Sequence, residues 1–175
     1  MTQLTTLDRL QPALLDRLSD DAPSERADSR ERRVVTRNAL RASVLHDLSN
    51  LLNAHALYGA AASSEYPRVH ASVLNYGLRD VTGRALSSLD VTALAREIEL
   101  AIVRFEPRIA AGTLCVTPMR EEGDAMRTSV AFLVEGDLWG QPYPERLYVK
   151  TELDLESGQA RIVDGVPRLC REPAP

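Results

Sequence analysis

Residues 91–117, VTALAREIELAIVRFEPRIAAGTLCVT, contain the point at which the hydrophobic period of this chain changes. Val91, Leu94, Ala95, Ile98, Ile102 and Phe105 recur at three- and four-residue spacing, which predicts the buried face of a helix. Asp90 is placed to cap its start. Pro107 ends it, because the residue before a proline is pushed out of helical backbone geometry. Beyond it the period becomes two: Leu114 and Val116 alternate with Thr113, Cys115 and Thr117, as in a half-buried strand.

Downstream the period of two persists. Val130, Phe132 and Val134 alternate with Ser129, Ala131 and Leu133, after a turn at Glu121-Glu122-Gly123-Asp124. A loop is expected around Gly136, Gly140, Pro142 and Pro144. Leu147, Val149, Thr151, Leu153 and Leu155 then alternate with Tyr148, Lys150, Glu152 and Asp154. Glu156-Ser157-Gly158-Gln159 reads as a hairpin turn, and Ala160 to Val163 as a short returning strand. Upstream the pattern is helical. Ala39, Leu40, Val44, Leu45, Leu48, Leu51 and Leu52 form one stripe with Asn53 at its end. Residues 54–68 read as a loop, and 69–78 as a helical turn or two stopped by Gly77. Leu4, Leu7, Leu10, Leu14, Leu15 and Leu18 mark a leading amphipathic helix. Helices first and a meander of strands second predict an α+β fold with an antiparallel sheet. The expected organisation is an amphipathic helix over 1–19, a charged linker over 20–33, one α+β domain over 34–165, and a flexible Pro-rich tail over 166–175.

The 175 residues carry 21 basic and 25 acidic side chains, and 20 of the bases are arginine, with Lys150 the one lysine. Codon bias accounts for such a skew; so does a surface built for planar, bidentate carboxylate contacts. Residues 111–175 hold seven basic and eleven acidic groups, so the net charge of −4 is that of the strand region. That balance argues against nucleic acid as a partner, since phosphate binding needs clustered positive charge. No run approaches the roughly 18 apolar residues of a membrane-spanning helix. The N-terminus lacks a basic stretch followed by an apolar one, which argues against a signal peptide. Cys115 and Cys170 lie far apart and read as unpaired thiols of a cytoplasmic protein.

Catalytic patterns are not evident. His46, His55 and His70 do not fall at metal-ligand spacing, so neither a metal nor another cofactor is expected. No nucleophile elbow or phosphate-binding glycine loop occurs. One short stretch stands apart: Glu106-Pro107-Arg108, at the helix exit and stiffened by proline. Were the backbone extended there, Glu106 and Arg108 would project from one side as an acid–base pair able to form bidentate hydrogen bonds. A plain helix stop flanked by two solvated charges is the alternative. The strand from Arg146 to Leu155 and its hairpin could likewise recruit a partner by strand addition, or pair only within the domain.

The ordered series LRASVLHDLSNLLN (40–53), SVLNYGL (72–78) and AIVRFEPRI (101–109), followed by alternating strands, resembles the baseplate wedge family of contractile injection machines. More narrowly it is similar to the TssE subunits of type VI secretion baseplates, which are related to a phage T4 tail wedge protein. The resemblance runs over about residues 1–165 and rests on Leu51-Leu52-Asn53, Asn75-Tyr76-Gly77 and Glu106-Pro107-Arg108. His46 stands where many relatives have another basic or polar residue. The resemblance implies a non-enzymatic subunit joining a wedge of TssF, TssG and TssK to a TssB/TssC sheath, on the cytoplasmic side of the inner membrane. It implies wedge docking through Glu106, Pro107 and Arg108. It also implies a sheath-facing strand region at Leu147, Val149, Thr151, Leu153 and Leu155, continued in Ala160 to Val163. Two other readings follow from the same resemblance: an anti-adaptor-like regulator that binds a protein partner on its own, and a lysozyme-like hydrolase using Glu106, which the missing catalytic context disfavours.

Overall fold

The computed structural model describes residues 36–57, 66–70, 72–119, 128–139 and 144–164. Helix α1 (Arg37–Asn53) opens on Thr36, whose Oγ1 accepts from the Ala39 amide at 3.2 Å. Leu40, Val44, Leu48, Leu51 and Leu52 form its buried face. Ala39, expected on that stripe, is exposed: it lies 100° around the helix from Leu40, in the first turn. Within the segment read as a loop, Pro67 starts a single helical turn, α2 (Pro67–His70), since a proline costs a helix nothing at its first position. A 3₁₀ turn at Val73–Asn75 follows. Helix α3 (Val91–Phe105) is capped by Asp90, whose side chain accepts from the Ala93 amide at 2.9 Å, and it stops before Pro107 as the sequence predicts. Leu94, Ile98 and Ile102 are almost wholly buried, each worth about 1.5–3 kcal/mol in apolar area removed from water.

Four antiparallel strands follow in the order of the chain: β1 (Cys115–Met119), β2 (Ser129–Leu138), β3 (Glu145–Asp154) and β4 (Ala160–Asp164). The fold is therefore α+β. Pairing places Val116 opposite Val134 and Val134 opposite Val149, while Phe132 lies opposite Thr151 and Thr151 opposite Ile162. These residues point to the face covered by α1 and α3, and the core lies between. The opposite face carries polar pairs such as Arg146 with Asp137 at 2.9 Å. Gly136, expected in a loop, lies inside β2, which runs on to Leu138. A β-carbon there would sit 2.8 Å from the Ile109 side chain, so glycine permits a close crossing at this point.

The leading leucine helix, the charged linker, the Glu121–Asp124 turn, Cys170 and the Pro-rich tail lie outside the described residues. Among the described residues no helix is long and apolar enough to cross a membrane.

Candidate functional site

The exit from α3 is a turn and not the extended segment considered above. The Ile109 amide donates to the Glu106 carbonyl at 3.2 Å, with Pro107 at the second position, where its fixed φ suits a β-turn. Beyond the turn the chain runs against the far end of β2: Trp139 N–H donates to the Arg108 carbonyl at 2.7 Å, and Ala110 N–H to the Asp137 carbonyl at 2.9 Å. Glu106-Pro107-Arg108 is thus pinned on its backbone by the helix before it and the strand beside it.

The side chains add a third attachment. Arg108 Nε and Nη2 donate to the two oxygens of Glu106, each at 2.6 Å, in a bidentate pair. Nη1 reaches Ser43 Oγ at 3.0 Å, and Nη2 also bonds Asp47. Ser43 and Asp47 stand one turn apart on α1, so a single guanidinium ties α1 to the α3 exit. Glu106 is 3% exposed, while the side chain of Arg108 keeps 24% of its surface in solvent. Its hydrogen bonds to Glu106 hold the arginine well above its ordinary pKa, against the effect of burial and with further help from Asp47. The cation is permanent and its orientation fixed. Glu106 gives both oxygens to it and offers no carboxyl to solvent.

Two of the three sequence motifs meet here. Tyr76 packs edge-on against Phe105, with ring centroids 5.1 Å apart. Its hydroxyl is pushed up in pKa, first by partial burial and then by the charges of Asp47 and Glu106. Asn75 beside it is buried. Gly77 has φ of +113° and passes so close to the end of α1 that a β-carbon would lie 2.2 Å from the Ala54 carbonyl oxygen. That contact lets Leu78 N–H bond the same carbonyl at 3.0 Å. Leu51 and Leu52 are core residues. Asn53 turns away from the arginine cluster: its Nδ2 donates to the Ala160 carbonyl and its Oδ1 accepts from the Ala160 amide, both at 2.9 Å.

The strand residues expected to face a sheath lie inside the fold. Leu147, Val149, Thr151, Leu153 and Leu155 are all buried, on the face covered by the helices. Moreover β3 is hydrogen-bonded to β2 on one side and β4 on the other, so it has no edge to offer. Period-two alternation identifies the buried face of a strand but not its position in the sheet. Ser43, Asp47 and Trp139 were not singled out by the sequence. The first two carry a weak signal as polar residues four apart, off the leucine stripe; Trp139, 50% exposed at the end of β2, carries none.

Helices over one face of a four-stranded meander, fastened by a stapled turn with proline at its tip, make up an α+β domain. Residues 38–143 match the family described as baseplate wedge protein gp25, and the chain belongs to that family. No match was found among curated proteins or among solved structures. The family is one of structural baseplate proteins, so the chain has a structural role in a phage-tail-like baseplate and is expected to contact other baseplate components.

Proposed function

We propose that this protein is the TssE-type subunit of a type VI secretion baseplate, joining a wedge of TssF, TssG and TssK to the TssB/TssC sheath and starting sheath assembly by strand exchange. The supporting observation is the Arg108 staple: it gives the Glu106-Pro107-Arg108 turn one fixed shape and leaves Pro107 exposed at its tip, next to the Arg108 carbonyl that accepts from Trp139 N–H. Wedge docking is assigned to that tip. Glu106 and Arg108 set its form, and Pro107 and Trp139 present it; a half-exposed tryptophan beside an arginine is a common anchor at protein interfaces.

Strand exchange is assigned to the outer side of β4, since β3 is paired on both sides. The discriminating test of docking substitutes the exposed residues. Charge reversal at Arg108 would set a third carboxylate against Glu106 and Asp47 and disturb the fold itself. Pro107→Ala and Trp139→Ala should keep the thermal midpoint within a few degrees and lose co-purification with TssF and TssG. Full retention of the wedge proteins by both variants would overturn the docking assignment.

A further inference from the structure

The two outer edges of the sheet differ in what they offer another strand. In an antiparallel ladder, residues alternate between bonding one neighbour and bonding the other. Asp154 N–H donates to the Gln159 carbonyl at 2.9 Å, and both backbone groups of Ala160 face away from β3 to meet Asn53. By alternation, Arg161 and Val163 bond β3, whereas Ile162 and Asp164 direct N–H and C=O outward. The same count across β2 and β1 directs the nitrogen of Pro118 outward, so β1 has no donor at that position. The carboxamide of Asn53 mimics a peptide group and occupies the first outward rung of β4. Alongside that edge, a groove of about 510 Å³ opens between α1 and β4, lined by Leu45, His46, Ser49, Ala160, Arg161 and Ile162.

The geometry points to β4 as a register-specific acceptor for an acidic, partly apolar extended segment of a partner, with Asn53 as the positioning residue that makes Ile162 the first outward rung unpaired among the described residues. This rests on the assignment of strand exchange to β4. The partner residue opposite Ile162 would share its face and enter the groove over Leu45, which calls for an apolar side chain. Its neighbours would point to the other face, one beside the exposed Arg161 and the other beside Val163, which is 47% exposed. The first should therefore be acidic and the second apolar.

Amide spectra of the full-length protein, titrated with short threonine-rich peptides, test this. Two peptides carry Asp-Val-Val or Val-Val-Asp, to cover both strand directions, and their counterparts carry Lys in place of Asp. One aspartate peptide should protect the Ile162 amide from solvent exchange while leaving Ala160 unchanged, and its lysine counterpart should bind about two- to five-fold more weakly. In Asn53→Ala, protection should extend to Ala160. If that variant loosens β4, the comparison of the aspartate peptides with their lysine counterparts on the wild-type protein decides alone. Further protection of Ala160 on adding peptide to the wild type, equal binding of the lysine peptides, protection of Ile162 appearing without peptide as concentration rises (pairing with a second copy), or no protection of Ile162 would each overturn the inference. Wedge co-purification does not enter this measurement, so a failed secretion-baseplate assignment is distinguishable from a failed acceptor.

Discussion

Arg108 concentrates more of the fold's long-range bonding than any sequence pattern around it suggests. Truncation to alanine would leave Glu106 buried without its cation, and removal of one partner from a buried ion pair costs about 3–5 kcal/mol. Urea unfolding of Arg108→Ala should show that loss, and a midpoint unchanged from the wild type would contradict the staple. Arg108→Lys should recover only part of it, because an ammonium cannot make the forked contact with both Glu106 oxygens. Tyr76 supplies an independent reading of the same cluster. Its folded pKa is raised, so its contribution to stability is complete below pH 10 and lost as pH climbs through the higher folded value. Absorbance titration should place Tyr76 above an ordinary tyrosine, and Asp47→Asn should bring it partway back. At Gly77, alanine meets both a positive φ and the Ala54 carbonyl, so Gly77→Ala should cost well over about 1 kcal/mol.

Among the elements, those with a strong local period were legible from sequence and those fixed by distant partners were not. Helix α3 follows directly from the spacing of Leu94, Ile98 and Ile102 and from Asp90 and Pro107 at its ends. The alternation of Leu147 through Leu155 gives β3 and its buried face. It cannot give the interior position of β3, because the pairing of β2 and β4 on either side is decided by the whole meander. Gly136 misled for a related reason: glycine signals a turn locally, and here it answers the approach of Ile109 from 27 positions earlier in the chain. The Glu106–Arg108 pairing was legible, but its attachment to Ser43 and Asp47 spans more than sixty residues and leaves no local trace. Packing of α3 gives a further check. Ile98→Ala should destabilise the protein by about 2–5 kcal/mol in chemical unfolding, whereas Leu100→Ala, on the exposed side of the same helix, should change little.

For the molecule as a whole, one carboxylate of the strand half gives a pH response at the hairpin joining β3 to β4. The Asp154 carboxylate accepts from the amides of Glu156 and Ser157, and the first of these contacts does most to lower its pKa below the ordinary 3.8. A depressed folded value means that the contribution is complete above 3.8 and disappears as pH falls through the lower folded value. Hydrogen exchange should show the Glu156 amide opening in that acid range, ahead of amides in the centre of β2, and simultaneous opening of both would argue against a local effect. The prediction concerns the hairpin that carries β4, and hence the edge assigned to strand exchange.

Pro118 gives this sheet a direction. With one margin missing a donor at Pro118 and the other assigned to strand exchange beyond Asn53, the proposed subunit is an end-piece more than a link: a neighbour would continue the sheet past β4, but a like copy would not be received at β1 on equal terms. On that proposal, an assembly begun on such a piece would grow one way from it, and the stoichiometry would be set by the number of starting points rather than by the length of what is built.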